Sequence, residues 1–216
     1  QGESALRASR KCDWGFADVL AKDLPAVLDW IGEQVPGSPI YLLGHSLGGH
    51  YACMLAGLMP DRIAGVIVVA TGSPWYKAYP PKMRRQIRLL IALLPLILVF
   101  CGYYPGKRLG FGDRDARTLM KDWLDMARSN TYRARGVERD LDAAIAEYEG
   151  PVLSVRLADD PYAPEAAMRA VTDKFVRAAV TGRVINSEEL GDRAEHFRWV
   201  KQGTVVARTV ADWLCS

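Results

Sequence analysis

Residues 41–50 read Tyr41-Leu42-Leu43-Gly44-His45-Ser46-Leu47-Gly48-Gly49-His50. Four apolar residues, 40–43, predict a short buried strand, and the apolar residues after Gly49 predict a helix. Between them Gly44 and Gly48 bracket Ser46 in a G-x-S-x-G pattern, which places a serine at a strained strand-to-helix turn. Only small residues two positions to either side let the strand and the helix approach so closely. We interpret Ser46 as a nucleophile; the alternative is a turn with a purely structural role.

The start of the predicted helix supplies a second element of the same chemistry. The first N–H groups of a helix have no partner within it, and the helix dipole is positive at this end. We therefore expect the backbone N–H of Leu47 to point at the place where an oxyanion would form on a substrate.

Composition excludes several classes of protein. The 216 residues include 28 basic and 25 acidic side chains, a balance that does not favour nucleic-acid binding. None of the four cysteines is close to another in sequence, which argues against a zinc site and disulfides and favours a reducing, cytoplasmic location. Cys53 and Cys101 lie in apolar segments and are predicted to be buried free thiols. No glycine pair has the setting of a phosphate loop, and we expect neither a cofactor nor a metal.

The remaining chain alternates between helical and strand patterns. A helix is expected over 16–35, with a kink or restart after Asp23 because Pro25 lacks an N–H. The run Ile63 to Ala70 predicts a strand buried on both faces, which completes a strand–helix–strand unit of a parallel sheet. The next predicted elements along the chain are a strand over 152–157, a helix over 164–179, a short strand at Val184 and Ile185, and a closing helix over 205–214. This is the pattern of an α/β fold.

Residues 72–150 interrupt the alternation and are predicted to form a helical insertion. It contains a basic cluster at 82–88 and a 16-residue apolar stretch from Leu89 to Tyr104, divided by Pro95. The stretch falls short of the roughly 20 residues that a spanning helix needs. Two short helices over an apolar pocket are favoured, and contact of 82–104 with a membrane surface is the alternative. The predicted domains are therefore 1–71, 72–150 and 151–216.

A serine nucleophile needs a base, and a carboxylate to orient the base. His196 is preferred among three histidines because it follows the last predicted strand in a polar loop, whereas His45 and His50 are expected to have packing roles. The acid is expected at Asp160, with Asp159 in reserve, because both directly follow the strand at 152–157, where catalytic groups of parallel sheets gather. The acid not used is expected to close the turn before Pro164.

These residues have a clear family resemblance. The order Ser46, Asp160, His196 is that of α/β-hydrolases, and Leu43 to Gly49 resembles the nucleophile elbow of that family. The resemblance extends to three further segments: Met59-Pro60-Asp61-Arg62-Ile63, Pro151 through Asp160-Pro161, and His196-Phe197. It implies an α/β-hydrolase fold with a mostly parallel sheet and flanking helices, and a cap over 72–150. Trp75-Tyr76 and the segment 102–112 resemble a bacterial group of hydrolases of unassigned substrate.

The resemblance also implies a departure at the N-terminus. Gly2-Glu3-Ser4 resembles the end of a turn that lies well inside the family's fold, so the family's earlier strands and second oxyanion donor are expected to be missing. The strand at 40–43 would then be an exposed, apolar sheet edge. We expect a fragment, which a completing chain or a homo-oligomer could cover at that edge.

The function implied is a serine hydrolase of a small-molecule carboxylic ester or related acyl bond, with Ser46, Asp160 and His196 as the catalytic residues. The apolar insertion suggests an apolar acyl group. Two alternatives stay open: an acyltransferase on the same triad, and a non-catalytic fragment that binds a ligand or a partner chain.

Overall fold

A computed structural model describes residues 6–216 of the chain. Residues 1–5 are outside the described part, and so is the predicted turn at Gly2-Glu3-Ser4.

The chain divides into two compact units. One comprises the residues up to Trp30 together with Pro74–Arg139, and the other comprises Ile31–Ser73 and Asp140–Ser216. This division differs from the expected domains, because the first residues group with the insertion and residues 140–150 group with the sheet. Side chains of the first unit explain the first difference. The carboxylate of Asp13 accepts hydrogen bonds from the Thr118 N–H and hydroxyl, and buried Asp122 accepts one from the Phe16 N–H.

The second unit is built on a four-stranded parallel sheet. Its strands are β1 (Tyr41–His45), β2 (Gly65–Val69), β5 (Val152–Leu157) and β6 (Val180–Ile185), in that spatial order. All five residues of β2 are buried, as expected for an apolar run covered on both faces. Strand β1 lies at one edge of the sheet within the described residues, in agreement with the expectation for the elbow strand.

Helices flank this sheet and close its core. Tyr148 is fully buried and donates its hydroxyl to the Ile63 carbonyl, which ties the segment after one helix to the start of β2. The helices of this unit are α3 (Leu47–Leu58), α7 (Leu141–Ala146), α8 (Glu165–Thr172), α9 (Ser187–Leu190) and α10 (Gly203–Leu214), with short 3₁₀ turns at Pro60–Arg62 and Arg198–Gln202. The α/β class predicted from the sequence is confirmed.

The expected boundary between α8 and β6 was wrong. Helix α8 ends at Thr172 and not at residue 179, and β6 has six residues and not two. The reason is that β6 pairs with all six residues of β5. The pairing of β6 begins at Val180, so residues 173–179 form the connection between α8 and β6.

The first unit is mainly helical. The expected break near Pro25 is present as a π-helical segment, Val19–Asp23, between two α-helical pieces. The regular elements are α1 (Phe16–Asp18), α2 (Leu24–Gln34, which begins in this unit), α4 (Pro81–Cys101), α5 (Gly106–Leu109) and α6 (Arg117–Ser129), the two-residue strands β3 (Tyr104–Pro105) and β4 (Arg114–Asp115), and a 3₁₀ turn at Tyr76–Ala78.

Helix α4 corrects two expectations. It is one continuous 21-residue helix that contains Pro95, and not two short helices. It buries Leu94 and Leu98 on one face, while Cys101 is exposed and not buried. No helix in the described residues combines the length and the apolar character needed to cross a membrane.

Candidate active site

Ser46 lies at a sharp turn between β1 and α3. Its backbone angles are φ 53° and ψ −120°, and it is one of three non-glycine residues with positive φ in the described part of the chain. Such angles are costly for a residue with a Cβ and persist only where the surroundings impose them. The Ser46 N–H donates to the Val69 carbonyl, and its carbonyl accepts from the Gly49 N–H. The turn is therefore held from both sides.

Two glycines near Ser46, Gly44 and Gly49, leave no room for a side chain. A Cβ on Gly44 would lie 2.4 Å from backbone atoms of Gly48 and Gly49, and a Cβ on Gly49 would lie 2.0 Å from the Thr71 hydroxyl. Gly48 has nothing within 4 Å of its Cβ position. Gly44 thus lets β1 and α3 cross closely, and Gly49 makes room for the Thr71 side chain after β2, whereas a side chain at Gly48 would meet open space.

His196 joins Ser46 to Asp160 in a continuous hydrogen-bonded chain. The distance from His196 Nε2 to Ser46 Oγ is 2.9 Å, and that from His196 Nδ1 to Asp160 Oδ2 is 2.7 Å. The imidazole and the carboxylate are buried, and the serine is half-buried. All three residues follow carboxyl ends of strands in the same sheet, so three separate loops bring them together.

The structure separates the two candidate acids. Asp160 is buried and also accepts the Tyr162 N–H on Oδ1 at 2.8 Å, so it closes the turn before Pro164 itself. Asp159 is exposed and accepts the Ser187 hydroxyl at 2.5 Å. Ser187 Oγ in turn accepts the N–H of Ala194, two residues before His196. Asp159 was expected to close the turn before Pro164. Instead it is hydrogen-bonded through Ser187 to the loop that carries His196.

His45 also contacts the His196 loop, a contact that the sequence did not indicate. Its Nε2 lies 2.9 Å from the backbone carbonyl of His196, and its ring packs against those of His196, Phe197 and Trp199. Burial, reinforced by the nearby His196, lowers the pKa of His45, which favours the neutral ring with an N–H that donates to the carbonyl. The expected packing role is therefore combined with a specific hydrogen bond.

Two aromatic side chains border the imidazole. The ring of Tyr162 lies 5.3 Å from that of His196, and Phe197 lies 4.6 Å from it, measured between centroids. Both aromatic side chains are exposed, Phe197 by 70%. An apolar surface therefore adjoins His196 within the second unit.

Comparison with known proteins identifies the family. The sequence matches the model of the alpha/beta hydrolase family over residues 2–208. The chain belongs to the alpha/beta hydrolase family. Ser46, Asp160 and His196 follow one another along the chain in the order in which members of that family have their triad residues.

Curated relatives are longer proteins. The chain is 31% identical over 174 residues to the biotin biosynthesis bifunctional protein BioHC of Cellvibrio japonicus, covering 73% of this chain and 34% of that protein. It is 30% identical over 117 residues to monoglyceride lipase of Homo sapiens, covering 54% of this chain and 36% of the lipase. The chain thus spans about a third of the length of these relatives.

Solved structures show the same fold. A monoacylglycerol lipase from Paleococcus ferrophilus superposes with a TM-score of 0.55 at 16% identity, covering 94% of this chain and 76% of the lipase. Est1E from Butyrivibrio proteoclasticus gives a TM-score of 0.50 at 16% identity, covering 92% and 71%. At these identities the likeness supports the hydrolase fold alone.

His50 is buried in α3 beneath the turn. Its Nε2 lies 3.2 Å from the Gly72 carbonyl, and burial lowers its pKa to about 4, with the Lys174 ammonium acting in the same direction. Because the unfolded histidine binds a proton near pH 6.5, acidification favours the unfolded chain.

We expect His50 to make the fold sensitive to acid. At about pH 5 its low pKa should reduce the free energy of unfolding by about 2 kcal/mol, and this contribution should be absent above about pH 7.5. The His50→Gln variant should show a smaller loss of stability between these two pH values than the unsubstituted chain. Urea unfolding at both pH values measures the difference, and an equal loss in both proteins would contradict it.

Proposed function

We propose that this chain is a serine hydrolase that cleaves a carboxylic ester or a related acyl bond with Ser46, His196 and Asp160. The hydrogen-bonded chain from Ser46 Oγ through His196 to Asp160 carries this proposal, since it is the arrangement that activates a serine hydroxyl. Membership of the alpha/beta hydrolase family supports it.

The reaction follows from the atoms that this chain brings together. The Ser46 hydroxyl attacks the acyl carbon while its proton passes to His196 Nε2, and Asp160 stabilises the resulting imidazolium through Nδ1. The tetrahedral intermediate then expels the alcohol, which takes the proton from Nε2. Water attacks the acyl-enzyme by the same route and releases the acid and the free serine.

The developing oxyanion has a donor at the start of α3. The N–H of Leu47 is the first of that helix and has no acceptor within it, so it is free to donate to the substrate. A second N–H is expected in such sites, and losing one donor costs roughly 10² to 10³ in rate. Covalent labelling reports on the serine and its base in a single step, without turnover.

An apolar acyl group fits the surroundings. Tyr162 and Phe197 present apolar surface beside His196, and one curated relative of this chain is a monoglyceride lipase. We infer that the acyl group lies against these rings while the carbonyl carbon approaches Ser46.

Covalent labelling with a fluorophosphonate probe tests the mechanism. The chain should be labelled at Ser46, because the probe requires an activated serine hydroxyl. The Ser46→Ala variant should lose all labelling, and His196→Gln should react orders of magnitude more slowly because the base is lost.

Ser38→Ala serves as the matched control. Ser38 is exposed in the turn before β1, so removing its hydroxyl should leave labelling unchanged. Labelling of the Ser46→Ala variant at the rate of the unsubstituted chain would show that another residue reacts and would overturn the proposed nucleophile.

A further inference from the structure

The exposed face of α4 carries two kinds of side chain that are separated along the helix axis. Its first two turns present three cations, Lys82, Arg85 and Arg88, called the cationic end. Its remaining turns present the apolar stripe, which consists of Leu89, Leu93, Leu96, Val99 and Phe100. The members of the stripe are 45% to 73% exposed.

Most members of both sets lie on one side of the helix. At 100° per residue, positions 82, 85, 89, 93, 96 and 100 fall within one face, and Leu94 and Leu98 fall on the opposite one. Arg88 and Val99 lie at the border of the first face and are also exposed. Leu94 and Leu98 are buried, so the helix is anchored in the first unit through that opposite face. The cationic end and the apolar stripe are therefore presented outward together and do not belong to the unit's core.

The side chains of the cationic end are not paired with other groups in the described part of the chain. Within residues 6–216, the side chains of Lys82, Arg85 and Arg88 make no hydrogen bond or ion pair, whereas neighbouring Arg84 donates to the carbonyls of Tyr79 and Lys77. Helix α4 contains no aspartate or glutamate between Pro81 and Cys101. A partner for this face must therefore be anionic at one end and apolar at the other.

We propose that this face of α4 docks on the surface of a membrane that contains anionic phospholipid. The cationic end would contact phosphate headgroups, and the apolar stripe would enter the boundary between headgroups and acyl chains. From Arg88 to Phe100 the helix rises about 18 Å, so a modest tilt lowers Phe100 below the headgroups while Arg88 stays among them. The lengthwise separation of charge and apolar surface fits a layered lipid boundary.

The proposal does not depend on the triad. Helix α4 belongs to the first unit, whereas Ser46, Asp160 and His196 belong to the second. Vesicle binding and fluorophosphonate labelling can therefore succeed or fail separately.

Vesicle co-sedimentation of the full chain tests the docking. We expect the chain to pellet with vesicles of phosphatidylcholine and phosphatidylglycerol at low salt and to pellet much less with phosphatidylcholine alone. Failure to pellet with the anionic vesicles would overturn the proposal and leave a protein partner as the occupant of this face.

Matched charge variants locate the contact. The triple variant Lys82→Ala, Arg85→Ala, Arg88→Ala should bind anionic vesicles about a hundredfold more weakly, since each cation contributes about 1 kcal/mol near such a surface. A control triple variant removes three exposed cations elsewhere in the same unit: Lys121→Ala, Arg128→Ala and Arg133→Ala. Equal weakening in both variants would mean that only net charge matters, which would contradict docking through α4.

A second pair of substitutions tests the apolar stripe. Leu96→Ser with Phe100→Ser should abolish the part of the binding that survives high salt, because screening removes the electrostatic contribution and leaves the apolar one. Salt-resistant binding that is unchanged in this variant would exclude insertion of the stripe.

Discussion

Replacing Asp160 by asparagine is expected to lower the rate of ester hydrolysis by about 10⁴, whereas Asp159→Asn should have a far smaller effect. The two residues are adjacent, and the substitution is the same. Only Asp160 is buried against His196, with its Oδ2 at 2.7 Å from Nδ1. Asp159 contacts the exposed side of the loop through Ser187.

The physical reason lies in the proton on the imidazole. The Tyr162 N–H fixes one oxygen of the Asp160 side chain, so an asparagine that keeps this bond turns its NH₂ group toward His196 Nδ1. Nδ1 must then be the acceptor, which moves the ring proton to Nε2. A protonated Nε2 cannot take the proton of Ser46, although the fold and the serine are unchanged.

Initial rates with an activated aryl ester of a short apolar acid measure this effect, with the fluorophosphonate labelling rate as a second readout. Circular dichroism establishes that both variants are folded. Equal losses in the two variants would show that the negative charge of the turn matters and not the bond to Nδ1, and would remove Asp160 from the proposed triad.

Sequence patterns were sufficient to predict the structure where it depends on interactions between residues that are close in sequence. The turn at Ser46 needs glycines at fixed offsets, a strand before it and a helix after it, and all of these are within ten residues. The same holds for the helix break before Pro25, which the structure contains as a π-helical segment. In each case one residue type constrains the backbone: glycine in the turn at Ser46 and proline in the helix.

The sequence was less informative where contacts between distant segments determine the bounds of an element or the burial of a residue. Nothing near residue 173 signals the end of α8, since the limit is imposed by the pairing of β6 with β5. Pro95 was expected to break α4, but a proline whose side of the helix is exposed removes one hydrogen bond and need not end the helix. Cys101 was expected to be buried because its neighbours are apolar, but it is the last residue of α4 and is exposed there.

The surroundings of His196 show the same limit. His196 and Asp160 could be chosen from their positions after strands. The bonds that hold their loops link residues that are far apart in sequence: His45 with the His196 carbonyl, and Asp159 with Ser187. A histidine beside a nucleophile and a serine in a polar loop have too many ordinary roles for either contact to be inferred from sequence.

Gly44→Ala is expected to cost the fold about 3 kcal/mol or more, whereas Gly48→Ala should change its stability by about 1 kcal/mol or less. The two glycines occupy equivalent places on either side of Ser46 in the motif. A methyl group on Gly44 would lie 2.4 Å from the backbone of Gly48 and Gly49, and backbone cannot move aside as a flexible side chain would. A methyl group on Gly48 would meet open space, and alanine is favoured over glycine within a helix.

Thermal unfolding followed by circular dichroism measures the difference. For a chain of this size each kcal/mol corresponds to about 2–4 °C, so Gly44→Ala should lower Tm by about 6–12 °C. It should also slow fluorophosphonate labelling, because separating β1 from α3 displaces Ser46 from His196. If Gly44→Ala left both Tm and labelling unchanged, the close crossing of strand and helix would not be what holds Ser46 at its strained angles.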